Sequence, residues 1–263
     1  GPLSPKTTFL SSARTSYLGL LFKLIDLPIR PDFYDFQYKV NHKFDDKTTL
    51  TAIGIGAIDN FSFAPTRDAS PENIYVLRST PYINQWTYTM GFNLNRRITD
   101  GYMNFSLSRN MFHTTLDKFE DEQKIEDKRT LLVNSDEIEN KFRFDYNKFV
   151  NGWRFSTGAD VQYVGYSGDV FNKIRQEVKD EDGVVIAPEQ TITFDSKINF
   201  WKYGLFAHAS KHFFNEKLLL SGGVRTDMNS FTEEGQNPIK TLSPRVSASY
   251  SIANQWRINA SVG

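Results

Sequence analysis

The sequence predicts an all-β protein, an antiparallel up-and-down sheet of about eleven strands that forms part of a transmembrane β-barrel. Three observations favour this class. Apolar and polar residues alternate with a period of two in segment after segment, which places the apolar side chains of each strand on one face. Aromatic residues make up 14% of a chain that is only 39% hydrophobic, a composition typical of sheets wetted on one face. Short turns and long loops alternate between the strands, as they do in barrels that span membranes.

The predicted strands are about 8 to 14 residues long, and their alternation sets their positions. In chain order they lie near residues 6–14, 34–44, 48–59, 86–94, 103–107, 142–146, 153–163, 201–209, 218–224, 246–252 and 256–262. Short turns are expected near residues 45, 97, 149, 214 and 254, and long loops near residues 22, 72, 125, 181 and 235. Two of these loops are expected to be especially long, at about 115–137 and 167–196, and the first loop is expected to hold a short helical turn at 17–25.

Composition argues against several classes of function. Lys and Arg total 31, as do Asp and Glu, so no global basic field favours nucleic acid as a partner. The absence of Cys excludes disulfides, thiolate nucleophiles and thiolate metal sites. No apolar run reaches the length of about 18 residues that a transmembrane helix needs, whereas a strand crosses with about ten alternating residues.

We predict no catalytic residues, no metal site, no cofactor and no enzymatic activity. His208 and His212 are four positions apart on a strand, which separates them by about 13 Å and prevents them from sharing a metal ion. The acidic runs at 120–126 and 177–182 are interpreted as solvated surface. Four aromatic residues assigned to loops are candidate contacts for a ligand or partner: Phe61, Phe63, Tyr75 and Tyr82.

All four tryptophans fall on the apolar parity of their strands. Trp86 and Trp201 are placed at the start of strands that descend from the long-loop side, and Trp153 and Trp256 at the start of strands that rise from the short-turn side. This division predicts two aromatic girdles at the edges of a lipid-facing band. The predicted girdle consists of Trp86, Trp153, Trp201, Trp256, Tyr88 and Tyr250. The alternative is that these tryptophans pack the core of a soluble β-protein.

The opposite parity carries charged residues that would line a barrel interior. The candidates are Asp35, Lys39, Arg143, Arg154, Asp160, Arg225, Asp227, Arg245 and Arg257. Such residues would contact a plug or a polar substrate. The alternative is that they are polar only because a barrel lumen is wet.

Several segments resemble TonB-dependent outer-membrane receptors. The LSPRV segment at 242–246, with Tyr250 and the NQWRINASVG that follows, resembles a strand pair of these receptors, and GVRTD at 223–227 matches the G-x-R-x-D pattern that commonly precedes it. The opening GPLS with SARTSYLGLL, and FYDFQYKVNHKF at 33–44, resemble early barrel segments of Bacteroidetes-type receptors.

The resemblance implies a 22-stranded barrel, filled by an N-terminal plug domain that follows a TonB box. Residues 1–263 would then be a single-domain middle portion of the barrel, without plug or box. Ala52, Gly54 and Gly56 are expected to form a smooth patch of inner wall where the plug backbone approaches.

The resemblance also implies a function, which is TonB-dependent uptake of a siderophore, vitamin or glycan across the bacterial outer membrane. The implied partners are outer-membrane lipid, the receptor's own plug domain, TonB and, in some receptors, a surface lipoprotein. Two other classes stay open: a passive porin or adhesion barrel, and a soluble secreted β-protein that binds carbohydrate.

Overall fold

The computed structural model describes residues 1–63, 70–120, 124–253 and 255–263. Residue 254 of the last predicted turn and residues 121–123 of the predicted acidic run lie outside the described residues. The helices are α1 (Leu18–Leu24) and α2 (Pro71–Ser79), with 3-10 turns at Glu126–Lys128 and Glu234–Gln236. The strands are β1 (Pro2–Ser4), β2 (Thr7–Thr15), β3 (Ile29–Lys43), β4 (Thr48–Phe63), β5 (Tyr82–Ile98), β6 (Gly101–Phe119), β7 (Arg129–Val150), β8 (Trp153–Arg175), β9 (Val178–Lys179), β10 (Val185–Ala187), β11 (Gln190–Phe213), β12 (Leu218–Asn229), β13 (Leu242–Ala253) and β14 (Trp256–Val262).

Twelve strands form one antiparallel sheet in the order β1-β2-β3-β4-β5-β6-β7-β8-β11-β12-β13-β14, and β9 pairs with β10 in a separate hairpin. Successive strands of the sheet are neighbours, so the topology is up-and-down. Within the described residues the sheet is open, with β1 and β14 at its edges. The predicted fold class is confirmed: all eleven predicted strands are present, and β1 is the additional member of the sheet.

The short turns follow from local chemistry. Asn151 and Gly152 both have positive φ, at 50° and 79°, and they join β7 to β8 as a two-residue turn with Val150 opposite Trp153. In the β3–β4 turn, the carboxylate of Asp45 accepts hydrogen bonds from the Lys47 amide at 2.7 Å and the Thr48 hydroxyl at 3.1 Å. The bond from the Lys47 amide is the main reason why the pKa of Asp45 is lowered.

The two longest predicted loops are wrong, because most of their residues belong to strands. β6 continues to Phe119, β7 begins at Arg129, β8 continues to Arg175 and β11 begins at Gln190. β8 and β11 therefore reach 23 and 24 residues, well beyond the predicted length. Likewise, Phe61 and Phe63 lie in β4 and Tyr82 lies in β5, rather than in loops.

Both helices lie in long connections of the sheet. α1 confirms the helical turn predicted near residue 22. α2 has no counterpart among the predicted elements; it begins at Pro71, and the Ser70 hydroxyl accepts a hydrogen bond from the Asn73 amide at 3.3 Å. In the part of the chain that the structure describes, neither helix has the length and hydropathy needed to cross a membrane.

Candidate functional site

The strand register divides the side chains of the sheet between two faces, since residues paired across strands share a face. From Trp86 the pairing runs through His113, Asp136 and Ser167 to Lys197, which is an even number of residues from Trp201. Continued through β12 and β13, the pairing brings Trp256 to the same face. We call this the tryptophan face; it carries all six predicted girdle residues, Trp86, Trp153, Trp201, Trp256, Tyr88 and Tyr250.

The other face is called here the charged face. It carries all nine predicted interior residues, Asp35, Lys39, Arg143, Arg154, Asp160, Arg225, Asp227, Arg245 and Arg257. The predicted girdle residues therefore all lie on one face of the sheet, and the predicted interior residues all lie on the other. That the tryptophan face contacts lipid and the charged face lines an interior stays a prediction at this stage.

The tryptophans occupy two levels on their face. Cross-strand pairing from Trp86 leads through β6, β7 and β8 to Lys197 on β11, which is four strand steps away. Lys197 lies four residues closer to the long-loop end of β11 than Trp201 does, a direction called here upward. The row of Trp153 reaches β14 at Ala260, four residues above Trp256, again after four steps. A shift of one residue per strand corresponds to a strand tilt of about 35°, which is the tilt of membrane barrels. With this tilt, Trp86 and Trp201 lie at one height and Trp153 and Trp256 at another.

The two levels are separated by a membrane-sized distance. Trp201 pairs with Tyr163, which is ten residues along β8 from Trp153. At a rise of about 3.3 Å per residue and a tilt of about 35°, ten residues span about 27 Å of height. The tilted row from Tyr163 to Trp201 adds about 3 Å, so the two levels are about 30 Å apart. The apolar band of a membrane barrel is about 25 Å tall.

The aromatic side chains at both levels make ring contacts with neighbours on the same face. Trp86 stacks on His113 with ring centroids 5.4 Å apart, and Trp201 lies 5.1 Å from the Tyr163 ring. At the other level, the Lys211 ammonium lies 5.3 Å from the Trp153 ring. Trp201 nonetheless lies in the middle of β11 rather than at its start, so its predicted position at a strand end is wrong.

The small residues of β4 also lie on a different face from the one predicted. Gly54 pairs with Tyr38 and Met90, and Gly56 pairs with Tyr88, so both belong to the tryptophan face. The Tyr38 ring covers Gly54 so closely that a Cβ there would lie 2.2 Å from it. This patch is therefore not available to a plug on the charged face.

On the charged face, β7, β8 and β12 bring together five ionisable residues, which form one ion pair on β7 and a second group that joins β8 to β12. We call them the inner cluster: Arg143, Asp145, Asp160, Arg225 and Asp227. Arg143 donates to Asp145 at 2.7 Å, and Arg225 donates to Asp227 at 2.6 Å. Asp160 lies between them with 4% of its surface exposed, and it accepts hydrogen bonds from Arg225 at 3.4 Å and from Gln162 at 3.1 Å.

Two glycines make room for the inner cluster. Asp160 lies over Gly204, where a Cβ would be 2.4 Å from the carboxylate, and Phe206 lies over Gly158, where a Cβ would be 2.6 Å from the ring. Arg143 in turn lies over the Phe206 ring, with its guanidinium carbon 5.5 Å from the centroid. Four of the five charged members were among the interior residues predicted from the sequence, and Asp145 was not. The glycines gave no signal because their role depends on which residue pairs with them.

Three further cations surround the inner cluster. Lys141 and Lys202 flank Gln162 in one row, and Arg245 pairs with Gly223 on β12. Among the described residues none of the three forms an ion pair. Arg245 also borders a cavity of about 190 Å³ that reaches Arg143 and Arg225. Glu139 lies on the same face, two residues along β7 from Lys141. The charged face therefore carries charges of both signs around the inner cluster, and the unpaired cations away from β7 are Lys202 and Arg245 among the described residues.

Above the upper tryptophan level, one pair of adjacent rows exchanges the polarity of the two faces. The tryptophan face there carries a polar row across seven strands: Asp32, Asn60, Asn84, Thr115, Asn134, Asp169 and Asp195. The charged face carries an apolar row beside it: Pro31, Phe61, Ile83, Leu116, Val133, Val170 and Phe194. Of this row, only Phe61 was singled out from the sequence.

Comparison with known proteins identifies the family. The family described as "TonB dependent receptor-like, beta-barrel" matches residues 26–263. The chain therefore belongs to the TonB-dependent receptors, a family of transport receptors of the bacterial outer membrane. The family named from sequence is confirmed, and the Bacteroidetes type stays a prediction. No curated protein matches the chain.

Solved structures agree with this fold. The copper transporter OprC superposes with a TM-score of 0.61 at 13% identity, over 89% of this chain and 37% of that one. The ferripyoverdine receptor of Pseudomonas aeruginosa gives 0.62 at 13% identity, over 99% and 39%. The RagAB peptide importer gives 0.60 at 11% identity, over 98% and 35%. The chain thus spans less than two fifths of the length of these proteins.

Proposed function

We propose that the chain is part of the barrel wall of a receptor for TonB-dependent uptake of a nutrient, such as a siderophore, vitamin or glycan, across the outer membrane. One observation carries the proposal: the tryptophans form two levels about 30 Å apart, and at both levels the strand register shifts by four residues over four strand steps. In this proposal the tryptophan face contacts lipid and the charged face lines the interior.

We further propose that the charged face holds the receptor's own plug domain. Lys202 and Arg245 project from it without ion pairs among the described residues, so acidic side chains of a plug would complete the charge balance. TonB would act through the part of the receptor that carries the plug. A surface lipoprotein is left out of the proposal because no described feature supports one.

Uptake measurements test the transport proposal. Cells that express the full receptor would be offered an iron–siderophore, a cobalamin and an oligosaccharide, with and without TonB. We expect uptake of one compound, and its loss when TonB is deleted. Uptake that persists without TonB would contradict the proposal and support the passive-porin alternative.

Conductance in planar bilayers tests the plug contact. A wide barrel is open unless its plug is held, so reversing two charges that hold the plug will raise the frequency of open events. We expect this from Lys202→Glu with Arg245→Glu in the full receptor. The matched control is Lys197→Glu, which changes the same kind of charge on the tryptophan face above the upper level. Equal conductance of both variants would contradict the contact.

A further inference from the structure

One arginine lies on the tryptophan face well inside the proposed lipid band. Arg109 on β6 pairs with Asn140 on β7. The pairing continues through Tyr163 to Trp201, which places Arg109 on the tryptophan face. With a shift of one residue per strand, the backbone of Arg109 lies three residues below the upper tryptophan level, which corresponds to about 8 Å.

The other cations on this face of β5–β8 and β11 lie at the lower edge of the band. Arg96, Lys148 and Lys211 are each within one residue of the lower tryptophan level, where a long side chain reaches water. Among the described residues of these strands, Arg109 is therefore the one charge held further inside the band. Charged residues on a lipid-facing surface destabilise a barrel, and those that occur within a membrane mark functional sites.

Two neutral side chains hold the guanidinium of Arg109. Its Nε donates a hydrogen bond to the hydroxyl of Tyr88 at 2.9 Å, and its Nη1 donates to Oδ1 of Asn140 at 3.1 Å. Tyr88 is itself stacked on Trp86, with an angle of 4° between the ring planes. The backbones of Tyr88 and Asn140 lie about 5 Å below the upper level. Both contacts therefore direct the guanidinium towards the headgroup side of the band.

Arg109 has no counter-ion among the described residues. Its neighbours on the same face are uncharged: Leu107 and Met111 along β6, and Met90 and Asn140 across the sheet. Two of its five N–H groups donate to the neutral oxygens described above, and the other three have no described acceptor. In lipid, both an unpaired charge and an unsatisfied donor are costly. The missing component is an anion with several acceptor oxygens.

A phosphate attached to a lipid meets both requirements. The planar guanidinium binds two oxygens of one phosphate in parallel, and a lipid headgroup brings its phosphate to the edge of the apolar band. Below Arg109 the same face carries Leu107 and Phe142, which are 55% and 45% exposed. The acyl chains of the same lipid would cover these side chains.

We propose that Arg109, positioned by Tyr88 and Asn140, binds the phosphate of an anionic phospholipid in the leaflet on the long-loop side. This inference rests on the proposed function, since it requires that the tryptophan face contacts lipid. Free phosphate and a second copy of the chain are the other occupants, and each is an outcome of the test.

The test is native mass spectrometry of the full receptor, released from neutral detergent micelles that contain dioleoylphosphatidylglycerol. Dioleoylglycerol, which has the same chains and no phosphate, is the reference lipid. We expect Arg109→Gln to weaken binding of the first phosphatidylglycerol about tenfold, because the charge-assisted bonds are lost. The matched control is Arg154→Gln, which removes the same charge from the charged face and will leave the affinity unchanged.

Two further variants keep the proposal falsifiable if Arg109→Gln does not fold. Arg109→Lys retains the charge without the planar fork, and Tyr88→Phe retains the arginine without the hydroxyl that orients it. Each will lower the preference for phosphatidylglycerol over dioleoylglycerol about threefold. A purely structural role of these residues would leave that preference unchanged.

The inference is overturned if Arg109→Gln and Arg154→Gln bind phosphatidylglycerol equally, or if inorganic phosphate displaces the lipid, which indicates a site for free phosphate. It is also overturned if Arg109→Gln changes only the fraction of dimer in the same spectra, since a second copy then covers the site.

A spin label at Leu107→Cys, two residues below Arg109 on the same face, separates this inference from the proposed function. Collisions with oxygen at this label, together with an unchanged lipid affinity of Arg109→Gln, would overturn the inference alone. Collisions mainly with a water-soluble nickel complex would contradict the proposed function, because the tryptophan face would then not contact lipid.

Discussion

The lower and upper parts of β11 have the same conformation and opposite polarity. Below Trp201 the tryptophan face carries Tyr203 and Leu205, whereas above it the same face carries Asp195 and Lys197. The charged face changes in the reverse direction, from Lys202 to Phe194. The neighbouring strand β8 changes in the same way, from Gln162 to Val170 on the charged face, whereas β7 keeps Glu137 and Glu139 there.

Which face carries the apolar residues therefore reports the environment on each side of the sheet. The alternation itself reports only that a strand is present. Between the tryptophan levels, lipid would favour apolar residues on the outside. Above them the proposal places water on the outside, which would favour polar residues on the tryptophan face.

The largest effect is expected from a charge in the proposed lipid band. Leu205 lies about midway between the two tryptophan levels, so Leu205→Lys will lower the free energy of unfolding by about 2–4 kcal/mol. Urea titration of the receptor in vesicles measures this change. Thr193→Lys places the same charge on the same face of β11 above Trp201, and its effect will stay within about 0.5 kcal/mol. An equal loss of unfolding free energy for Leu205→Lys and Thr193→Lys would show that the two parts of β11 do not differ in contact with lipid.

The second prediction concerns Gly204, which lies beneath the buried carboxylate of Asp160. Gly204→Ala forces Asp160 away from its position, since the new Cβ would lie 2.4 Å from the carboxylate. We expect a loss of about 1–3 kcal/mol in unfolding free energy, because the charge loses its hydrogen bonds. The control is Gly222→Ala on the tryptophan face, where the nearest atom is 3.9 Å away. If both variants are equally stable, the packing of Asp160 does not contribute to stability.

A smaller effect is expected at the corresponding glycine of the tryptophan face. Gly54→Ala also produces a close contact, but with the end of the Tyr38 ring, which can rotate towards lipid. The cost will therefore be about 1 kcal/mol, below that of Gly204→Ala. Gly56→Ala, whose nearest atom is 3.5 Å away, serves as the reference. A cost above that of Gly204→Ala would mean that Tyr38 is confined and does not face lipid.

The smallest effect concerns pH and the top of β8, outside the membrane band. Lys173 donates to Glu189 at 3.0 Å and to Glu120 at 3.3 Å, and the bond to Glu189 is the main cause of its raised pKa. The resulting stabilisation is complete below the ordinary lysine value of 10.5 and is lost as the pH rises through the raised pKa.

A spin label at Asp182→Cys reports this loss, because the chain has no other Cys. Its mobility will increase only above about pH 10.5, and Glu189→Gln will remove the pH dependence. If the mobility of the label at position 182 does not depend on pH when Glu189 is present, the ion pairs of Lys173 do not order the connection between β8 and β11.

The lower region of the sheet was largely predictable from sequence, and the upper region was not. Phe155, Val161 and Leu205 alternate with polar residues in one constant sense, which is enough to identify strands and faces. Above Trp201 the alternation continues through Ile198 and Phe194 with the opposite sense. An interpretation based on one fixed face ends the strand there and assigns the remainder to a loop.

Other features depend on pairing between strands, which alternation within one strand does not encode. The charged members of the inner cluster were predictable as members of one face. Their arrangement was not, because it depends on Gly204 pairing with Asp160 and Gly158 with Phe206. The same lack of register information explains why Gly54 and Gly56 were assigned to the wrong face.

The most direct test of the central claim is a spin-label scan of β11 from residue 193 to residue 207 in the full receptor in bilayers, with collision rates measured for oxygen and for a water-soluble nickel complex. We expect the tryptophan-face positions 203, 205 and 207 to collide mainly with oxygen, because in the proposed function they contact lipid. Positions 193, 195, 197 and 199 on the same face will collide mainly with nickel. Preferential oxygen collisions at 204 and 206, or no change across Trp201, would contradict the account.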